Sequence, residues 1–212
     1  SSTRISGWRF QTSRRCRDAN PCPLSWDDRD QSRAAAKNLI SSRIGLEGTD
    51  DAPHTGGIAL KLRIDGPQLG TSAVCEPVLR ALPDWFGLEE AIVHYTAEID
   101  QLPTFLVSWD TGVVGFLSLK QHNPYAAEIY VMGIRLEAHR HGLGKALIGE
   151  AEKWLRAQGV EYLQVKTLGP SHSDPNYTRT RAFYLAVGFR PLEEFKQIWD
   201  EHNPCLIMVK RM

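Results

Sequence analysis

Three β-rich runs follow one another between residues 104 and 136, and the turns joining them are too short to hold a helix. Thr104–Trp109 and Val113–Leu119 are separated by Asp110-Thr111-Gly112, a connection of hairpin type, and Ala127–Leu136 follows the turn-prone His122-Asn123-Pro124. Runs joined this way lie side by side and antiparallel. On either side of them the apolar period changes to that of a helix. Leu88, Ile92, Tyr95 and Ile99 recur at i, i+4, i+7 and i+11, while Leu143, Ala146, Leu147, Ala151, Trp154 and Leu155 form the apolar face of a helix that should stop at Gly159. Ile58–Ile64 reads as a strand, and Pro77 suits the first turn of a short helix ending near Leu82. Tyr162–Leu168 reads as a strand. Asp174-Pro175 supplies a cap and a first-position proline for a helix running to Gly188, and Phe189–Phe195 and Leu206–Lys210 read as two closing strands. The order β-α-α-β-β-β-α-β-α-β-β specifies an α/β fold: one mixed, mostly antiparallel sheet flanked by helices.

That pattern occupies residues 58–212. Residues 1–57 hold few large apolar side chains and much Arg, Asp and Ser, and their one helical hint, residues 34–40, is too short to stand alone, so they read as a disordered N-terminal extension. The chain begins with Ser1, as a processed product or a fragment would. Lys+Arg and Asp+Glu both number 25, so nothing in the balance favours nucleic acid or an anionic membrane surface. No apolar run approaches the roughly 18 residues of a membrane span, and no secretory signal opens the chain, which makes the cytoplasm the expected location. Four cysteines are too few for a disulfide scaffold. Cys16 and Cys22 depart from zinc-knuckle spacing, Cys75 and Cys205 lie in apolar surroundings, and no metal site is expected.

The joint between the third β-rich run and its helix reads Met132-Gly133-Ile134-Arg135-Leu136-Glu137-Ala138-His139-Arg140-His141-Gly142-Leu143-Gly144-Lys145. Two glycines one residue apart at a helix start leave backbone N–H groups unpaired and unobstructed at the positive end of the helix dipole, a cradle for phosphate. The same glycines could simply relieve crowding in a strand-to-helix turn. Two other phosphate loops fail in register. Aligned as a Walker A loop, His139 falls where the first glycine belongs and Ala146 where Ser or Thr must hold magnesium; a dinucleotide fingerprint starting at Gly142 needs glycine where Leu147 stands.

A second constellation, Arg181-Ala182-Phe183-Tyr184-Leu185-Ala186-Val187-Gly188-Phe189, lies on the last helix. Together with the GxG loop some forty residues earlier it resembles the GNAT N-acetyltransferases, and the likeness covers residues 58–212, element order included. The resemblance implies acetyl-CoA as acetyl donor. Its pyrophosphate would lie on His139–Lys145, with Arg140, His141 and Lys145 adding donors, and its pantetheine amides would pair with the strand edge at Met132, Gly133 and Ile134. Two positions depart from the family pattern: His139 stands where Gln or Arg is usual, and Tyr177 where Asn is often found.

The family chemistry is attack of a neutral amine on a thioester, which needs a base for the amine and an acid for the departing thiolate. Tyr184 matches the family tyrosine that serves as acid, although a Tyr there can also simply pack between helix and sheet. Glu128 is the base candidate, since Ala127-Glu128-Ile129 resembles the strand that supplies a glutamate base in the histone-acetylating branch; a base of this kind works best with its pKa raised by partial burial, and a half-exposed strand Glu is often only an ion-pair partner. Trp85, Phe86 and His94 fall where the family lines its acceptor pocket. They suit core closure or a solvent-facing histidine as well, and so does His172. The expected activity is acetyl transfer to a small amine or amino-acid-like metabolite by direct attack in a ternary complex, with a protein or peptide amine, or a non-catalytic acyl-CoA-binding module, as alternatives. No nucleic-acid or membrane partner is expected, and the protein would be a monomer or homodimer.

Overall fold

A computed structural model describes residues 62–109, 112–200 and 202–212. Among these residues, seven strands form one sheet in the order β1-β2-β3-β4-β5-β7-β6, with four helices around it. The elements are β1 (Arg63–Gln68), α1 (Ser72–Arg80), α2 (Glu89–Ile99), β2 (Thr104–Trp109), β3 (Gly112–Asn123), β4 (Ala126–Ile134), α3 (Leu143–Ala157), β5 (Tyr162–Leu168), α4 (Pro175–Ala186), β6 (Arg190–Asp200) and β7 (Asn203–Arg211). A single 3₁₀ turn, Leu136–Ala138, links β4 to the loop before α3. All neighbouring strands are antiparallel except β4 and β5.

The two faces of the sheet carry separate cores. On one, Leu143, Leu147, Ile148, Ala151 and Leu155 of α3 and Tyr184 of α4 pack on Phe105, Val107, Leu117, Leu119, Ile129, Leu163 and Val165. On the other, Cys75, Val78 and Leu79 of α1 and Ile99 of α2 pack on Leu106, Phe116 and Val131. Cys205 is also fully buried. Among the described residues no helix is long and apolar enough to cross a membrane.

Several boundaries differ from the sequence expectation. The first strand runs over 63–68 rather than 58–64, and residues 58–61, like the proposed extension with Cys16 and Cys22, lie outside the described residues. Pro77 sits in the interior of α1 instead of its first turn. The helix starts five residues earlier because Asp100, far along the chain, supplies its cap: Ser72 N donates to Asp100 Oδ1 at 2.9 Å and Gly70 N to Asp100 O at 3.0 Å. β6 and β7 extend beyond the apolar runs to Asp200 and from Asn203: Asp200 pairs with Asn203 and Phe195 with Cys205, and Pro204 and Cys205 are themselves buried.

Local signals held where the decisive partner is close in sequence. Gly159 has φ +80°, the left-handed conformation that ends α3, and Asp174 accepts from Asn176 N at 2.7 Å and Tyr177 N at 3.0 Å to cap α4.

Candidate active site

β4 and β5 pair over four residues only, from Ala126↔Tyr162 to Ile129↔Val165. Beyond that point the strands part: β4 continues from Tyr130 to Ile134 along β3, and β5 continues from Lys166 to Leu168 along β7. The result is a fork in the middle of the sheet, with the backbone edge of β4 unpaired on its β5 side. Where it opens, the β3–β4 register shifts between Ser118↔Val131 and Leu119↔Ile129, leaving Tyr130 as an extra residue. Such a bulge re-aims side chains: Tyr130 and Val131 both pack into the α1–α2 core, and Met132 and Ile134 pack toward α3. Gly133 is buried against α1, where a Cβ would lie 3.3 Å from Val78 and Leu82.

α3 begins beside this edge. Gly142 caps it with φ +77°, no side chain satisfies its first turn, and the first helical bond is Ala146 N to Gly142 O at 3.0 Å. The N–H groups of Leu143, Gly144 and Lys145 therefore have no acceptor within the helix. A Cβ at Gly142 would meet nothing within 4 Å, whereas one at Gly144 would lie 2.8 Å from Phe183 Cζ and 3.3 Å from Ile134 Cδ1. The two glycines thus do different work: Gly142 makes the turn and leaves the cradle open, and Gly144 lets α3 touch α4. Leu143 is core, while Lys145, Arg140, His139 and His141 are exposed around the cradle. His139 Nε2 lies 2.7 Å from Ile134 O, and the His141 ring stands edge-on to Trp109 at 5.0 Å. Arg140 holds φ +67° without being glycine, a cost of about 1 kcal/mol that marks the loop as constrained. A fork with one unpaired backbone edge, leading to a helix start with free N–H groups, fits a ligand carrying both amides and a pyrophosphate.

Glu128 differs from the sequence expectation. It is 3% exposed rather than half-exposed, and its carboxylate takes His122 Nε2 at 2.7 Å, Gln164 Nε2 at 3.1 Å and Lys166 Nζ at 2.8 and 3.1 Å. Burial alone would raise its pKa, but the His122 and Lys166 contacts outweigh it and hold the group below the usual carboxylate range. Tyr184 is buried, its ring edges meet Phe183 and Phe189, and burial, reinforced by Tyr177, pushes its phenol well above the ordinary value. The phenol therefore stays protonated at physiological pH.

The α1–α2 loop brings Trp85 to α4: Trp85 Nε1 donates to Thr180 Oγ1 at 3.1 Å, and its ring stands 6.4 Å from that of His139. Phe86 meets Tyr95 edge-on at 5.7 Å, Tyr95 meets Tyr130 at 5.8 Å, and the Tyr130 hydroxyl is 3.0 Å from His94 Nε2. Burial pushes the Tyr95 and Tyr177 phenols up to about 12. Trp85, Phe86 and His94 thus lie beside Tyr95 and Tyr130, which were legible only as helix and strand filler, while Tyr177, the departure from the family Asn, places its hydroxyl 3.5 Å from Trp85 O. Gln164 and Lys166 carried no signal beyond an i, i+2 alternation on β5, and His122, expected in a turn, lies instead within β3. His172 is half-buried in the β5–α4 loop rather than solvent-facing. A cleft of about 450 Å³ walled by Ala73, Pro77, Val114, Arg135 and Glu137 shares none of these side chains.

Comparison with known proteins bears on the same region. The sequence model of the GNAT acetyltransferase family matches residues 75–189. A mycothiol acetyltransferase of Beutenbergia cavernae is 34% identical over 83 residues, 39% of this chain, and the match spans only 26% of that protein's length. In structure, a putative GNAT acetyltransferase from Desulfovibrio desulfuricans superposes with TM-score 0.62 at 17% identity, covering 72% of this chain and 99% of the other. A GNAT acetyltransferase from Elizabethkingia anophelis with acetyl-CoA bound gives TM-score 0.55 at 16% identity, with 71% and 98% covered.

Proposed function

Because the chain belongs to the GNAT acetyltransferase family, we propose that it transfers the acetyl group of acetyl-CoA to an amine by direct attack in a ternary complex. The observation that carries this reading is the fork between β4 and β5, which opens beside an α3 start with no side-chain cap, on a sheet whose α3 face also carries Tyr184 in its core. Acetyl-CoA supplies an activated carbonyl and a thiolate leaving group. The N–H groups of Leu143, Gly144 and Lys145, with Arg140 and His141, hold its pyrophosphate, and the β4 edge from Met132 to Ile134 pairs with its amides. The His139 contact to Ile134 O must then be exchanged for one to the ligand.

Tyr184 holds a proton and gives it to the sulfur as the C–S bond breaks. Glu128 accepts the proton the amine loses. As an ionised carboxylate it is ready to accept at any physiological pH, and its depressed pKa makes it a weak base whose conjugate acid releases the proton at once. Trp85, Phe86 and His94 border the acceptor, for which a small amine is the reading best served by a closed aromatic wall.

Release of free thiol from acetyl-CoA, measured across a panel of small amines and N-terminal peptides, tests the assignment. Tyr184→Phe should lower turnover by about 10²–10⁴-fold with acetyl-CoA affinity unchanged. Glu128→Gln should lose rate mainly below the amine's own pKa and recover part of it as pH rises. Acetyl-CoA binding without thiol release for any amine would make the chain a binding module.

A further inference from the structure

A polar side chain inside a protein is paired almost without exception, because an unmade hydrogen bond costs more than a made one returns. Five of the six buried polar residues described here obey this. Thr104 and Ser118 hydroxyls lie 2.8 Å apart, Thr71 Oγ1 accepts from Cys75 Sγ, Glu128 has the three donors given above, and Glu152 is held by Arg156 and Lys210. The sixth is Thr167. It is 3% exposed and its Oγ1 has no partner.

Its position on β5 gives the orphan meaning. Leu163, Val165 and Thr167 alternate along the strand and stand in one row on one face of the sheet, the face whose core contains Leu163, Val165 and Tyr184. Valine would continue that row with the same shape and no unmet hydroxyl. The β4–β5 pairing ends at Val165, so Thr167 is the next member of the row and the first to stand where the fork has opened. On its other flank it pairs with Leu206 of β7.

We propose that the Thr167 hydroxyl donates a hydrogen bond to the thioester carbonyl oxygen of bound acetyl-CoA, and so distinguishes the acylated from the free coenzyme. This rests on the acetyl-transfer reading above. The carbonyl is assigned rather than an arm amide because Thr167 lies at the closed end of the fork on the face of Tyr184, the group placed at the sulfur one bond away. The amides belong to the β4 edge further out.

The test is calorimetric titration of the full chain and of Thr167→Val and Thr167→Ser with acetyl-CoA and with coenzyme A, alongside thermal unfolding without ligand. Wild type should prefer acetyl-CoA by about three- to tenfold, the ratio that one net hydrogen bond is worth. Thr167→Val should lose that preference with coenzyme A affinity unchanged and should unfold at a higher temperature, since the orphan hydroxyl is gone; Thr167→Ser should keep the preference. Equal affinity of wild type for the two ligands, a preference that survives in Thr167→Val, or a lower unfolding temperature for that variant would overturn the assignment, the last by revealing a partner such as a buried water. Wild type that binds neither ligand would instead reject acetyl-CoA as the substrate.

Discussion

Gly144→Ala tests the contact that ties the anion cradle to α4. The added Cβ would stand 2.8 and 3.1 Å from Phe183 Cζ and Cε2 and 3.3 Å from Ile134 Cδ1. Carbon atoms prefer about 3.5–4.0 Å, so the helix start or the ring must yield by about 0.7 Å. The ring is partly buried against the core, so its shift is not free. Overpacking of this kind costs about 1–3 kcal/mol, and alanine returns up to about 1 kcal/mol in helix propensity. The net loss is about 1–2 kcal/mol, which for a domain of this size lowers Tm by roughly 2–8 °C. Because the first turn that shifts also presents the free N–H groups, coenzyme A affinity should fall about tenfold. Thermal unfolding and calorimetric titration read the two effects. Phe183→Leu should relieve part of both in the double variant, a coupling of at least about 0.5 kcal/mol. An unchanged Tm and affinity in Gly144→Ala, or strict additivity with Phe183→Leu, would refute the reasoning.

Three further outcomes follow from the same geometry. Gly142→Glu places a carboxylate in open space beside the cradle, so coenzyme A affinity should drop on the order of a hundredfold while the fold loses only about 1–2 kcal/mol to the positive φ, as titration and melting would show. Arg140→Gly removes the left-handed strain and should raise Tm by a few degrees, roughly 1 kcal/mol, while weakening binding; a lower Tm would show that the Arg140 side chain supports the loop. The depressed pKa of Glu128 means that the folded chain binds fewer protons there than the unfolded one, so its contribution is complete above pH 4.5 and is lost as pH falls below it. Glu128→Gln should accordingly flatten the acid limb of Tm against pH.

What could be read from the sequence was whatever depends on near neighbours. The bounds of β5, the stop at Gly159 and the Asp174 cap are set within a few residues, and periodicity or cap chemistry reveals them. α1 was misplaced because its start depends on Asp100, and a proline tolerated inside a short helix gives no local clue to that. The same division runs through the site. The GxG loop and the Phe183-Tyr184 pair announce themselves as motifs, but whether the Glu128 carboxyl is raised by partial burial or, buried, is held down depends on His122 from β3 and Lys166 from β5. Thr167 carries meaning only once the end of the β4–β5 ladder is known, since in sequence it is an ordinary strand residue.

The four-residue parallel ladder between β4 and β5 is also a seam, with four strands on one side and three on the other. A ligand whose amides bond to β4 beyond Ile129 acts as further stitches across it. Backbone amides of Tyr130–Ile134 that face the fork should exchange with solvent quickly in the free protein and slowly in the liganded one. Saturation also deepens the folded well, by about 2.7 kcal/mol when the ligand stands at a hundred times its Kd. On the proposed acetyl-transfer reading, the resistance of this chain to unfolding and proteolysis should therefore track the supply of acetyl-CoA, so that the amount of folded protein reports on the metabolite that the proposed reaction consumes.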